Sequence, residues 1–246
     1  MKKFAFILSV LVVSCFKAQE HQIWHWGVSV GTYGNKAEYA GGDPIANSRF
    51  VMNDFGAGSL NLVARYDATS HWMGSIGLGF TNYGFEYGIA RDYKIASGKR
   101  NVYTQKAEFS ALEIPFMLHY KFNTNCKMAR WVIGAGFSGY LTSSKTIQST
   151  TNTEATPGIE LQSISQNSGS AAVVRWSIAR EKIFKNGHIF NASLVWNYGL
   201  GHLATTTVNY TLDNVNYSHN FVNSGNYFGV KLSWFFKPHV SQPKRT

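Results

Sequence analysis

Hydrophobic and polar residues alternate along several segments of the chain. The pattern is clearest in residues 109–122, which are followed by a polar turn and by a second alternating run in residues 130–141. Leu112 and Phe116 share one face of the first run, and Glu113 falls on the opposite face. Such alternation is typical of paired β-strands with two different faces. A strand that contacts lipid on one side and a packed interior on the other requires this arrangement, because every second side chain points the same way.

The same pattern predicts eight strands along the whole chain. We therefore predict an all-β fold, an eight-stranded antiparallel up-and-down transmembrane β-barrel with a filled interior. The predicted strands are 23–33, 57–67, 71–83, 107–122, 130–142, 171–180, 188–200 and 226–236.

The predicted connections alternate in length, being brief after the second, fourth and sixth strands. The others are long, and this alternation is typical of an outer-membrane barrel with short periplasmic turns and long outer loops. It predicts a cell outer membrane location with both termini in the periplasm. The long connections, expected to contact partners outside the cell, are 34–56, 84–106, 143–170 and 201–225.

Two of these connections differ in composition. Segments 203–212 and 215–221 flank Asp213 and Asn214, which suit a tight turn, and predict a hairpin that extends beyond the membrane. Segment 143–170 is rich in Ser, Thr, Asn and Gln and is expected to be the most mobile part.

The N-terminus has the pattern of a secretory signal peptide. Lys2 and Lys3 precede the apolar residues 4–13, a stretch too short to span a bilayer. Cleavage after Ala18 predicts a signal peptide in 1–18 and a single barrel domain in 19–246, with a short periplasmic tail in 237–246. An alternative is a lipoprotein whose acylated residue is Cys15.

Charge and cysteine content exclude several function classes. Removing residues 1–18 leaves 20 basic and 13 acidic residues, a formal charge of +7, and the basic residues are dispersed along the chain. Outer-membrane lipid and lipopolysaccharide phosphates are the expected counter-charges, and nucleic acid is not expected as a partner. Cys126 is the one remaining cysteine, so we expect neither a disulfide nor a metal site, and no motif indicates a cofactor.

Aromatic residues collect at the predicted strand ends. At the periplasmic boundary nearly every lipid-facing position has a large ring, as expected of the girdle at the headgroup level of a membrane barrel. This predicted girdle comprises Trp24, Trp26, Tyr66, Trp72, Tyr120, Phe122, Trp131, Phe190, Trp234 and Phe236. A thinner outer belt comprises Phe80, Phe137, Trp196, Tyr198 and Phe228.

Charged residues fall on the inward faces of the predicted strands. The interior of an eight-stranded barrel is just wide enough for side chains to fill it, so Glu113 is expected to pair with Arg65, Arg175 or Lys231. We expect these four residues to form a structural charge network. Pro115 has no backbone N–H for the strand ladder, so a bulge or a locally widened register is expected there.

The run LEIPFMLHYKF followed by a turn and WVIGAGFSGYL resembles the paired strands of an outer-membrane β-barrel family widespread in Bacteroidota. Residues 112–115 match its Leu-Glu-Ile-Pro strand, Gly134, Gly136 and Gly139 match its Gly-rich partner, and NYGLGHL (197–203) is similar to its Tyr-Gly-Leu strand end. The resemblance implies a barrel of the OmpA or OmpX shape without an assigned chemistry. One departure is that a basic tail follows the final aromatic residue, Phe236.

The functional expectation is a non-enzymatic outer-membrane protein with a structural or surface-interaction role. The first alternative, suggested by the same resemblance, is an accessory barrel of an envelope machine, such as the PorT-like component of the type IX secretion system. The next is a narrow solute pore or a lipid-modifying barrel enzyme. For enzymes, the chain offers only a His-x-Ser spacing at His239 and Ser241 and the pair His202 and His219, which could face each other in a long connection.

Overall fold

The structure is a computed structural model of the chain. It describes residues 23–35, 38–42, 50–90, 102–122, 128–142, 146–152, 160–212 and 215–237. The expected signal peptide, Cys126, His239 and Ser241 lie outside these residues. No helix in the described part of the chain is long and apolar enough to cross a membrane.

Eight strands form a closed antiparallel barrel, as the sequence predicts. The barrel closes because β1 pairs with both the second and the last barrel strand along the chain. In their order around the barrel the strands are β1 (Ile23–Asn35), β13 (Tyr227–Phe235), β10 (Ile189–Gly199), β9 (Ser170–Ile183), β6 (Ala129–Thr142), β5 (Val102–Phe122), β4 (Trp72–Ala90) and β3 (Phe50–Asp67).

The two ends of the barrel differ. Residues 68–71, 123–128 and 184–188 connect strands at one end, which we call the turn end, and β1 begins and β13 finishes there. At the opposite, head end, three strands are longer than predicted. β3 starts at Phe50, β4 continues to Ala90 and β5 begins at Val102, so residues 84–90 and 102–106 of the predicted loop 84–106 are strand.

Other long connections contribute a second sheet at the head end, which we call the cap sheet. The predicted hairpin is confirmed by β11 and β12, whose register runs from Ala204 opposite Asn223 to Leu212 opposite Val215. Segment 143–170, whose composition indicated the most mobile part of the chain, contains two strands that extend the sheet. The strand order is β2 (Glu38–Gly42), β12 (Val215–Asn223), β11 (Ala204–Leu212), β8 (Glu160–Asn167) and β7 (Thr146–Asn152).

Pro115 interrupts one ladder without shifting it. Ile76 pairs with Phe116 and Gly79 pairs with Glu113, so the β4–β5 register is the same on both sides of the proline. The bulge considered from the sequence is therefore absent between these two described strands. Gly77 provides the room, because a Cβ at this position would lie 2.9 Å from Cγ of Pro115.

The main apolar core lies at the head end, between barrel and cap. Buried residues of β4 and β5 belong to the same cluster as buried residues of β11 and β12. A further link is the side-chain hydrogen bond between Tyr87 and Ser163. The core contains Tyr33, Tyr83, Tyr87, Phe109, Tyr140, Val173, Val195, Leu203, Val208, Tyr210, Phe221 and Tyr227.

Candidate functional site: the bore and the cap

A buried ion pair lies in the head-side half of the bore. Arg175 on β9 donates from Nη2 to Oε1 of Glu113 on β5, at 2.5 Å, and both side chains are buried. Both residues occupy inward positions of alternating strands. Asn197 holds the guanidinium through a 2.8 Å hydrogen bond from Nε to its side-chain oxygen.

The Glu113 carboxylate is surrounded by donors. Thr81 donates to Oε2 at 2.6 Å, and Ser138 donates to Oε1 at 3.3 Å. Asn61 and Tyr140 contribute longer contacts of 3.4 and 3.5 Å. Since a carboxylate has about four lone-pair positions, these donors and Arg175 use its accepting capacity fully. Together with Asn197, the residues of this network belong to six strands.

A second ion cluster lies near the turn end. Arg65 on β3 donates to Glu181 at 2.5 Å and to Asp67 at 2.9 Å. Glu181 also accepts from Nε of Arg130 at 2.6 Å, and Asp67 accepts from Nζ of Lys121 at 3.1 Å. Four strands contribute to this cluster, so it ties distant parts of the barrel wall together.

Between the two ion clusters lies a cavity of about 50 Å³ with a mixed polar and apolar lining. At roughly 10–15 Å³ for one water, this is room for about three to five waters. The polar lining of the cavity consists of Arg65, Ser75, His119, Arg175, Ser177, Asn191, Ser193, Lys231 and Ser233.

Aromatic rings cover the head-side exit of the bore. Tyr33, Tyr140 and Tyr227 project inward and are at most 3% exposed. Tyr33 and Tyr227 stack with ring centroids 6.1 Å apart, and the Tyr33 hydroxyl lies 2.9 Å from Oγ of Ser59. The apolar core shared with the cap sheet lies directly on this layer. Side chains thus occupy the bore on both sides of the cavity.

The outer wall of the barrel is apolar between two aromatic belts. At the turn end the rings contact one another, for example Trp24 with Tyr66 at 4.9 Å and Trp72 with Tyr120 at 5.1 Å. At the head side Trp196 contacts Phe228 at 5.1 Å. Exposed side chains between the belts are Val28, Val30, Leu60, Leu62, Leu78, Phe116, Leu118, Ile133, Ile178, Leu194, Val230 and Leu232.

This architecture has counterparts among solved structures. The outer membrane protein OprG from Pseudomonas aeruginosa matches with a TM-score of 0.50 and 9% identity, over 88% of this chain and 98% of that chain. The fold is that of an outer-membrane β-barrel. At such identity the likeness concerns the fold alone.

Two further barrels match at lower structural similarity. The N-terminal β-barrel domain of Pseudomonas aeruginosa OprF has a TM-score of 0.35 and 12% identity, over 85% of this chain and 97% of that chain. AlkL in lipid bilayers has a TM-score of 0.40 and 14% identity, over 91% of this chain and 95% of that chain. No protein-family model and no curated protein matches the sequence.

The barrel brings together only part of the charge network expected from the sequence. Of the three cations considered for Glu113, Arg175 forms the ion pair and Arg65 belongs to the separate cluster at the turn end. Lys231 lines the cavity between them.

The sequence interpretation missed Asp67, Lys121, Arg130 and Glu181 as members of a second network. Glu181 was expected in a short turn, but β9 continues to Ile183 and makes it an inward position. The signal was present, because Glu181 continues the inward alternation of Arg175, Ser177 and Ala179.

The girdle residues lie on the outer surface near the turn end. Trp26 is 67% exposed and Trp24 is 53% exposed. Trp72, Phe122, Trp131 and Phe236 are also exposed, whereas Tyr66, Tyr120, Phe190 and Trp234 are half-buried among neighbouring rings. Arg180 lies over the Trp131 ring at 5.2 Å, which places a cation at this belt.

The two histidines considered for catalysis are not brought together. His202 is exposed before β11, while His219 is buried within β12, opposite Val208. Nε2 of His219 lies 2.9 Å from the Tyr210 hydroxyl, inside the cap. Within the described residues, no three His, Cys, Asp or Glu side chains are grouped as metal ligands.

Proposed function

We propose that this chain is a non-enzymatic outer-membrane barrel with a closed bore, and that its cap sheet forms a preformed interaction surface outside the cell. The closed bore is inferred from the Arg175–Glu113 ion pair, which lies beneath the layer of Tyr33, Tyr140 and Tyr227. An open pore requires a continuous aqueous path, and here ion pairs and rings occupy the cross-section of a barrel with little spare room.

The membrane location is supported by the outer wall. Leu60, Leu62 and Phe80 are each more than 60% exposed, and many neighbouring side chains on the same surface are apolar. A contiguous apolar band of this extent is unfavourable in water and is expected of a surface covered by acyl chains. The aromatic belts at its two edges match the headgroup levels.

The interaction surface is supported by the order of the cap. β4 continues ten residues beyond Phe80, which corresponds to roughly 33 Å along the strand. The cap sheet packs on this extension through a shared core, and a surface already ordered loses little conformational entropy on binding. Such a surface is better suited to contact with a partner than a flexible loop of equal length.

Planar-bilayer recording of the purified mature chain tests the closed bore. We expect no stepwise open-channel current, under conditions in which a reference porin conducts. A stable ohmic conductance would overturn the closed-bore proposal and favour the narrow solute pore.

Cysteine labelling of intact cells tests the orientation. In a Cys126→Ser background, Val215→Cys on the exposed part of the cap should react with a membrane-impermeant maleimide. Asn186→Cys, exposed in a turn at the opposite end, should react only after the outer membrane is permeabilised. The reverse labelling pattern would contradict the proposed orientation.

Deletion of the protein tests the alternative role in an envelope machine. A secretion defect in the deletion strain, with normal envelope integrity, would favour that role.

A further inference from the structure

The bore contains more cationic than anionic side chains among the described residues. Its cations are Arg65, Lys121, Arg130, Arg175 and Lys231, whereas its carboxylates are Asp67, Glu113 and Glu181. Burying unpaired charge is costly, so an excess of this sign calls for a compensating negative group.

The excess is concentrated at the cavity between the two ion clusters. Arg65, Arg175 and Lys231 line this cavity, while the carboxylates Glu113 and Glu181 do not. Arg65 is fully engaged by Asp67 and Glu181, as described above. The imbalance therefore concerns Arg175 and Lys231.

Both cations have donors that the known contacts leave unused. Nη1 of Arg175 is buried and has no hydrogen-bond partner. No ion pair within 4.0 Å joins Lys231 to another described residue, and the Glu113 oxygens are already occupied by other donors. Lys231 is enclosed by protein yet retains accessible surface, as expected of a side chain that faces an internal cavity.

We propose that this cavity binds a small inorganic anion of halide type, chloride being the obvious candidate, beside Lys231 and Arg175, the two cations that line it. The hydroxyl groups of Ser177 and Ser233 line the same cavity and can donate further hydrogen bonds. The volume of about 50 Å³ suits one such ion with a few waters. The anion is a resident structural component of the bore and is distinct from the proposed interaction surface.

Thermal unfolding of the mature chain in detergent tests the site. Chloride is raised from zero at constant ionic strength, with isethionate as the replacing anion. The melting temperature of the wild type should rise with chloride, because a ligand that binds only the folded state stabilises it by mass action. Bromide should act in the same way as chloride.

Lys231→Met should abolish this dependence. In chloride-free buffer the variant should melt no lower than the wild type, because the substitution removes an uncompensated charge. Lys121→Met is the matched control, since Lys121 also lies in the bore but pairs with Asp67 outside the cavity. It should lower the melting temperature and retain the chloride dependence.

Two outcomes would overturn the proposal. One is an equal response to chloride in the wild type and Lys231→Met. The other is the absence of anomalous density beside Lys231 and Arg175 in a bromide-soaked crystal. Anomalous density at this position would support the site. Open-channel conductance would contradict the closed bore and leave this result unaffected, so the two proposals fail independently.

Discussion

Arg65 and Glu181 lie 116 residues apart in the sequence and are joined across the bore by a 2.5 Å ion pair, Nη1 to Oε2. Both side chains are at most 1% exposed. The pair links β3 to β9, strands that are not neighbours in the barrel. Backbone pairing joins each strand to its two neighbours, whereas this ion pair joins strands on opposite sides of the barrel.

Removing Glu181 should therefore destabilise the barrel. Glu181→Ala leaves Arg65 and Arg130 without their shared carboxylate, and breaking a buried pair costs about 3–5 kcal/mol. Urea unfolding in detergent or lipid measures the loss. Lys182→Ala is the control, because Lys182 is the next residue and is exposed. Equal midpoints for the two variants would contradict a stabilising role of the cluster.

The head-side pair allows a sharper test. Glu113→Ala should lower stability by about 3–5 kcal/mol, because Arg175 is then buried without a countercharge. Combining Glu113→Leu with Arg175→Met should recover much of that loss, since two apolar residues remove both charges together. The melting temperature in detergent gives the comparison, with Glu108→Ala on the exposed face of β5 as control. A double variant less stable than Glu113→Ala would indicate that hydrogen bonds in this network outweigh its ionic component.

The fold was predictable because one physical rule governs every barrel strand. Lipid on one side and packed side chains on the other force alternation, and β1, β5 and β6 display it over most of their described side chains. The hairpin of β11 and β12 was also predictable, because Asp213 and Asn214 separate two alternating segments.

Other features depend on information that local sequence does not carry. β7 and β8 are rich in Ser, Thr and Gln and lack an apolar stripe, so they form strands by extending a sheet that already exists. The ion partners depend on the register of all eight strands around the barrel. For this reason Arg65, Glu113, Arg175 and Lys231 were foreseen as inward-facing, whereas the second cluster around Asp67 and Glu181 was not.

The close contact of Gly77 with Pro115 predicts a position-specific glycine effect. In Gly77→Ala the new Cβ would lie 2.9 Å from the proline ring and 3.1 Å from the Leu62 carbonyl oxygen. We expect a loss of about 1–3 kcal/mol from this overpacking. Gly139→Ala is the control, since a Cβ there meets no atom within 4 Å.

Equilibrium unfolding of both variants provides the measurement. Pro115→Ala in the Gly77→Ala background should restore part of the stability, because it removes the ring and returns an N–H to the strand. Equal stability of the two glycine variants would show that the ladder near Pro115 tolerates a wider spacing.

We expect that the cap can be unfolded while the barrel remains folded. Phe221→Ala removes a ring that is 1% exposed within the shared core, and such truncations cost about 3–5 kcal/mol. We expect the cap to become sensitive to protease while the barrel keeps its different gel mobility before and after boiling. Val215→Ala, at a half-exposed site on the same strand, should leave both properties unchanged. Loss of the mobility difference in Phe221→Ala would mean that the cap and barrel fold as one unit.

Shortening the cap should not open the bore. Ala204 and Asn223 are direct partners in the hairpin, so Asn-Gly can replace residues 205–222 as a two-residue turn. The Arg175–Glu113 pair and the Tyr33–Tyr227 stack belong to the barrel strands and remain in place. We therefore expect no channel current from the shortened protein in planar bilayers, with the wild type and a reference porin recorded alongside. A current that appears only after shortening would show that the cap closes the bore. It would also show that the ion pair does not, because an ion must pass both the pair and the cap on the same path.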